Sequence, residues 1–112
     1  MSMPKKTMLL QGSLDLLVLQ SLKGGALHGY AITRHIKERS KDYLQVEEGS
    51  LYPALHRMEL RGWIDSYWGT SESNRRAKFY ELSADGRKQL KRETDSWRQM
   101  SQAINQVLGF QS

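Results

Sequence analysis

The chain has 112 residues, near the usual size of one domain, and 38% of them are hydrophobic, which permits only a modest core. A formal net charge of +5 favours a polyanionic partner, nucleic acid first and an anionic membrane second. The absence of cysteine excludes disulfides, thiolate metal sites and cysteine nucleophiles. No stretch is apolar and long enough to span a bilayer, so we expect a cytoplasmic protein without a membrane partner.

The N-terminal region predicts a buried helix after a short lead. Residues 1–9 form a basic lead that we expect to be flexible. The first helix should begin near Gly12, with Ser13 as a candidate N-cap. Leucines, Leu14 and Leu17 among them, occupy most of its faces, so it must be buried on more than one side. In so small a chain, this predicts contact with a second subunit.

A second helix is expected from Tyr30 to about Ser40, after a turn that contains His28. The alternating run 43–46 predicts one short edge strand. His28 and His35 are seven residues apart, but no acidic residue completes a ligand set, so no metal site is expected.

The stretch from Glu47 to Gly62 carries the main functional signal. An apolar stripe recurs at helical spacing, formed by Leu51, Leu55, Met58 and Gly62. The other faces carry small, hydroxylic, aromatic or basic residues: Gly49, Ser50, Tyr52, Pro53, His56 and Arg57. Pro53 fits the first turn, and Gly62 fits the C-terminal end. This pattern is typical of a helix that reads the major groove, and also of an ordinary amphipathic helix with a solvated face.

Two β-rich runs, 63–68 and 77–82, flank a polar loop and predict a hairpin. The loop ends in Arg75 and Arg76, and Lys78 follows in the second strand. Three helices followed by a hairpin is the order of a winged helix-turn-helix, in which the hairpin is the wing. A solvated charged loop is the alternative, but no core contact explains two adjacent arginines, so we favour DNA contact.

The last helix should open at Ser83, its N-cap, and run to about Leu108. Its apolar residues follow a heptad pattern, and a long helix that its own domain cannot cover indicates a dimerisation element. The residues expected in the homodimer interface are Leu14, Leu17, Leu90, Trp97, Met100, Ile104 and Val107.

These elements predict a mainly α fold with a small β-hairpin (α+β). Residues 10–82 would form the winged helix-turn-helix domain and residues 83–112 the C-terminal dimerisation helix. In this arrangement Arg57 would reach a guanine or a phosphate, while Ser50 and His56 would donate to phosphates or base edges. Tyr52 would offer its hydroxyl to the DNA, and the arginines of the wing would enter the minor groove. No catalytic arrangement stands out, so neither an enzyme nor a cofactor is expected.

Several motifs follow one another in the order and spacing of a known family. They are His28-Gly29-Tyr30-Ala31-Ile32, Glu48-Gly49-Ser50-Leu51-Tyr52-Pro53-Ala54-Leu55, Gly62-Trp63-Ile64, Arg76-Ala77-Lys78-Phe79-Tyr80-Glu81-Leu82 and Gly86. With them the chain resembles the PadR family of bacterial transcriptional regulators, in its short branch with a single C-terminal helix. The resemblance covers roughly residues 10 to 90, and the run from Gly49 to Leu55 is its most specific part.

The resemblance implies a homodimer that binds an inverted-repeat operator in double-stranded DNA and usually represses. The residues that it places at or near DNA are Tyr30, Ser50, Tyr52, Pro53, His56, Arg57 and the basic wing. Tyr30 fits core packing equally well. The resemblance also implies a small aromatic effector between the C-terminal helices, with Trp97 and Met100 as candidate contacts, although a tryptophan on a heptad seam also serves as plain interface core. A winged-helix module that docks an acidic protein is the competing hypothesis.

Overall fold

The computed structural model describes residues 11–110. Their helices are α1 (Gln11–Ser21), α2 (Gly29–Arg39), α3 (Glu48–Leu60) and α4 (Ala84–Leu108). Their strands are β1 (Leu27–His28), β2 (Ile64–Thr70) and β3 (Arg76–Leu82). This confirms the predicted α+β class and the order of helices and hairpin. The predicted flexible lead, residues 1–9, lies outside the described residues.

The three strands form one antiparallel sheet in the order β1-β3-β2. The hairpin pairs from Ile64 with Leu82 at its base to Thr70 with Arg76 at its tip. Since side chains alternate across a strand, Ile64, Leu82 and Tyr80 share one face, and all three are buried. That face packs on the helices, so the base of the hairpin belongs to the core and its tip extends beyond it.

The core lies between the first three helices and the base of the hairpin. Its fully buried large side chains are Val18, Leu19, Leu22, Ile32, Leu51, Leu55, Met58 and Ile64. In α3 the buried Leu51, Leu55 and Met58 recur at helical spacing, and they are the apolar stripe that predicted this helix. The core fixes α3 against the sheet and leaves its opposite side free.

The ends of α3 and α4 are fixed by local hydrogen bonds. Gly62, with φ of 79°, follows α3, and its N–H donates to the Glu59 carbonyl while the Trp63 N–H donates to that of Met58. This is a glycine-terminated helix end, as predicted. At the start of α4 the Ser83 hydroxyl accepts a hydrogen bond from the Gly86 N–H at 3.0 Å, which confirms the predicted N-cap.

Two predictions about helix starts are wrong. Ser13 is not an N-cap, because α1 already includes Gln11. Pro53 is the sixth residue of α3 and not in its first turn, because the helix starts at Glu48. The carbonyl that Pro53 leaves without a partner belongs to Gly49, which is exposed, so water can satisfy it.

The short strand also lies elsewhere than predicted. Residues 43–46 form no strand, and only Leu44 makes an isolated bridge. Lys41 and Asp42 both have positive φ and turn the chain sharply after α2. The third strand of the sheet is instead Leu27–His28, which pairs with Tyr80 and Phe79 of β3. Two residues are too few for an alternating pattern to be visible in the sequence.

Candidate nucleic-acid interface

The outward side of α3 consists of five residues within the range 49–56. Gly49, Ser50, Tyr52, Pro53 and His56 are all exposed, as predicted, on the side opposite the core stripe. The side chain of Glu47, the N-cap, makes no hydrogen bond to the first turn. The N–H groups of Ser50 and Leu51 donate to the Glu47 carbonyl, which leaves those of Glu48 and Gly49 for an anion, and the helix dipole favours a phosphate there.

Arg57 does not share this side, which corrects its predicted placement. Its guanidinium Nη2 lies 2.6 Å from Oδ1 of Asp15 in α1, and the two side chains are 25% and 9% exposed. Residue 57 lies one helical turn beyond the buried Ala54, at the edge of the core stripe. Burial raises the pKa of Asp15, and the attraction of Arg57 opposes this shift. Arg57 thus ties α3 to α1.

The wing, which is the hairpin β2–β3, turns its cations toward α3. Trp68, Lys78 and Arg76 lie on the same sheet face as the buried Ile64, because the register pairs Trp68 with Lys78 and alternation repeats every second residue. Ser66, on that same face, donates its hydroxyl to Glu59 Oε2 of α3 at 2.6 Å. The cations of the second strand therefore extend the surface that α3 begins.

The start of α2 lies between α3 and the wing. A Cβ added at Gly29 would lie 2.5 Å from the Tyr52 hydroxyl oxygen, so glycine is needed for this close approach of α3. The neighbouring His28 ring meets the Phe79 ring of the wing edge-on, with centroids 5.4 Å apart. The start of α2 therefore contacts α3 at Gly29 and the wing at His28, and it remains a prediction that the start of α3 and the wing face the same side.

Tyr30, near the start of α2, lines an open pocket together with Glu47 at the start of α3. Its side chain is 61% exposed, so the alternative that it packs in the core is wrong. The Arg34 guanidinium lies 5.4 Å from the centre of its ring. An exposed aromatic ring beside a cation suits contact with a sugar-phosphate backbone.

Trp68 is a surface residue that the sequence analysis missed. It is 59% exposed on the wing, and the Arg76 guanidinium lies 4.8 Å from the centre of its ring. Because side chains alternate along a strand, Trp68 lies on the same face as Ser66, two residues before it, and this face points toward α3. The alternation of β2 could have been used to find it in the sequence. The Trp68 ring packs against the Arg76 guanidinium on that face of the wing.

The second half of α4 carries an exposed apolar seam. Trp97, Met100, Ile104 and Val107 are between 50% and 88% exposed, as expected of side chains that a second subunit would cover. An open groove of about 600 Å³ runs between α1 and α4, and Trp97 and Met100 line it together with Trp63 and Leu16. The groove is large enough for a planar aromatic molecule.

Two residues predicted in the dimer interface belong instead to the core of the chain itself. Leu14 and Leu90 are only 5% and 6% exposed, because α1 and the first turns of α4 pack against each other. Leu17 is partly buried against the same core. The heptad pattern continues through Leu90, so the sequence could not show where intramolecular packing ends.

Within residues 11–110, no group of three histidine or acidic side chains is arranged to hold a metal ion. None of the helices described is both long and apolar enough to cross a membrane.

Comparison with known proteins agrees with this geometry. The model of the transcriptional regulator PadR-like family matches residues 18–92. A PadR family transcription regulator from Clostridium difficile is 33% identical, with a TM-score of 0.74 over 85% of this chain and 97% of its own. A transcriptional regulator from Clostridium thermocellum is 30% identical, with a TM-score of 0.77 over 86% and 93% of the two chains. A protein of Streptococcus mutans is 26% identical, with a TM-score of 0.80 over 97% and 94%.

Proposed function

The chain belongs to the PadR-like family of transcriptional regulators, and from that premise we propose that it represses transcription as a homodimer on an inverted-repeat operator. Membership of the family makes it a DNA-binding regulator. The observation that carries the finer proposal is the shared surface: the hydrogen bond from Ser66 to Glu59 joins the wing to α3 on the side where Arg76 and Lys78 stand.

In this proposal the outward side of α3 enters the major groove. Ser50 and His56 are exposed and able to donate to base edges or phosphates, and Tyr52 and Pro53 pack beside them. The uncapped amide groups at the start of α3 bind a phosphate. Arg57 has no base contact in this scheme, since its guanidinium is paired with Asp15.

The wing supplies the contacts that are independent of sequence. Arg75, Arg76 and Lys78 grip the phosphates or the minor groove that flanks the site of α3. The ring of Trp68 stabilises Arg76 and offers a flat face to a sugar. Tyr30 and Arg34 at the start of α2 extend this contact along the backbone.

The proposed dimer forms through α4. The exposed stripe of Trp97, Met100, Ile104 and Val107 is too apolar to stay in water along so much of a helix, and a second copy of the stripe would cover it. A two-fold axis there would present two copies of α3 to half-sites about one helical turn apart, or a multiple of it. Because such a regulator must reach its operator, we also propose that the protein is cytoplasmic.

We also propose that the groove between α1 and α4 accepts a small aromatic effector. Trp97 and Met100 line it from the side of the proposed interface, so a bound molecule would alter how two copies of α4 pack. Such a molecule would change the spacing of the two copies of α3 and so the affinity for the operator.

Selection of bound duplexes from a random pool tests the proposed function. We expect the enriched sequences to be two-fold symmetric, with half-sites separated by a whole number of helical turns. No enrichment at all would favour the competing hypothesis, in which the fold docks an acidic protein. Enrichment of a single asymmetric site would refute the homodimer on an inverted repeat.

A further inference from the structure

The basic wing carries one acidic residue at its tip. Glu72 lies in the turn between β2 and β3, next to the arginines, and its side chain is 71% exposed. A carboxylate at this position repels DNA, so its presence in a DNA-gripping element calls for a physical reason. Its Oε1 lies 3.2 Å from Nε2 of His28, which is the N-cap of α2.

Both ring nitrogens of His28 are engaged. Nδ1 accepts the N–H of Ala31 at 3.2 Å and so caps α2, and Nε2 faces the carboxylate of Glu72. Since Nδ1 must accept, the proton has to sit on Nε2, which then donates to Glu72. The imidazole is only 10% exposed, and the Phe79 ring meets it edge-on. These contacts fix the orientation of the ring.

We propose that His28 and Glu72 form a latch that positions the wing tip for DNA. The proposal rests on the proposed function, because the wing tip matters only if it contacts a duplex. His28 is a positioning residue here: it touches the wing and not the DNA.

The pairing geometry explains why the tip needs such a tether. Strand β1 is only two residues long and reaches β3 at Phe79 and Tyr80, so it does not support the outer half of the hairpin. Beyond that point the tip is shaped by its own turn, in which the Ser71 N–H donates to the Arg75 carbonyl at 2.8 Å. Glu72 joins this turn to the body of the domain.

The charges around Glu72 favour the latched form. The hydrogen bond to His28 lowers the pKa of the Glu72 carboxyl, and the nearby Arg34 lowers it further. The carboxylate is therefore ionised at neutral pH, where it is a strong acceptor. Arg34 also neutralises part of the charge that would otherwise repel a phosphate.

Replacement of Glu72 distinguishes the latch from simple charge repulsion, because the two hypotheses predict opposite changes in the affinity for DNA. With the latch, Glu72→Ala weakens binding to a selected operator by about three- to fivefold, although it removes a negative charge. Glu72→Gln keeps an acceptor for Nε2, so it should bind within about twofold of wild type or more tightly. Glu81→Ala is the matched control: it removes an exposed negative charge from the same wing without touching His28, and it should tighten binding slightly.

The second partner is tested by His28→Asn. Asparagine is a preferred N-cap, so α2 stays capped, but its side chain is too short to reach Glu72. It should weaken binding as much as Glu72→Ala does, and the double variant should be no weaker than either single variant. Independent effects that multiply in the double variant would overturn the latch, and so would a Glu72→Ala protein that binds as tightly as Glu81→Ala.

A measurement on the free protein keeps the latch testable if the proposed function fails. Nitrogen-15 relaxation should show larger amplitudes for the amides of Ser73 and Asn74 in Glu72→Ala and in His28→Asn than in wild type, and wild type should show the Nε2-protonated tautomer of His28. Unchanged amplitudes would overturn the latch even if DNA binding holds. A wild-type protein that enriches no duplex, with the amplitudes changed as expected, would refute the operator and leave the latch standing.

Discussion

Asp15 is the one acidic residue within the apolar helix α1, and its position is explained by Arg57. The carboxylate is nearly buried, and its partner holds α3 against α1 at 2.6 Å. Asp15 lies within the leucine-rich first helix, and the sequence analysis expected Arg57 to reach DNA. Only their distance in space gives them a shared role.

The pH dependence of stability tests this pair. Burial raises the pKa of Asp15 above its ordinary value of 3.8, so the folded state holds the proton more tightly than the unfolded state does. The contribution of Asp15 to the free energy of unfolding must then fall as pH rises from the unfolded to the folded pKa. Urea denaturation of wild type and Asp15→Asn between about pH 3 and about pH 6 should show that the difference, wild type minus variant, decreases with pH. A difference that increases would mean that pairing outweighs burial.

Gly86 is required where α4 meets the end of α3. A Cβ at this position would collide with the backbone carbonyl of Trp63, which cannot move aside as a side chain can. Gly86→Ala should therefore lower the free energy of unfolding by about 1–3 kcal/mol or more, measured by chemical denaturation. In the control Gly12→Ala, the added Cβ meets no described atom within 4 Å, so the variant should be unchanged or more stable by up to about 1 kcal/mol. Equal effects at the two sites would contradict the close approach.

At the scale of elements, the wing and α3 should contribute different parts of DNA recognition. Loss of Arg75 and Arg76 together should weaken binding to all duplexes alike and reduce the slope of log K against log salt by about two. His56→Ala should instead relax the preference at one base pair by about 1–3 kcal/mol if its ring reads a base edge. Lys88→Ala, which removes an exposed cation from α4, is the control and should leave the slope unchanged. A sequence-dependent loss in the wing variant would refute this division.

The groove beside α4 makes a separate prediction. Planar aromatic compounds that bind there should quench the fluorescence of wild type, and Trp97→Ala should lose the part of the quenching that comes from Trp97, while Trp63, which lines the same groove, keeps its part. Trp68→Ala removes a tryptophan of similar exposure on the wing and should keep the quenching. Loss of quenching in the Trp68 variant alone would place the ligand on the wing, while no quenching by a broad panel would favour a plain interface.

An element could be predicted from the sequence when the residues that determine it lie within or next to it. The bounds of α4 follow from the cap at Ser83 and from Gly109, and the hairpin follows from two alternating runs around a polar turn. The two-residue strand at Leu27 exists only because β3 lies beside it. Likewise, the direction in which the Arg57 side chain points depends on the carboxylate of Asp15, which lies 42 residues away in the sequence. Contacts between residues that are far apart in the sequence are hard to predict from a single sequence.

At the scale of the whole molecule, the shape supports a dimer. The radius of gyration is 15.3 Å and the extents are 49 × 33 × 21 Å. A compact chain of this length would have a radius of gyration of about 13 Å. The excess comes from the second half of α4, which projects from the core with its apolar residues exposed. A second copy of α4 would bury this apolar face, and such pairing would set the distance between the two proposed DNA-binding surfaces.

The central claim is that the outward side of α3 and the wing tip contact the same duplex. The most direct measurement is cross-linking from a photoreactive residue placed at Ser50 in one variant and at Asn74 in another, each bound to the selected operator. We predict that both variants link to one half-site, Ser50 to bases of the major groove and Asn74 to the flanking backbone or minor groove. Linking from Ser50 without any linking from Asn74, or the reverse, would contradict the account.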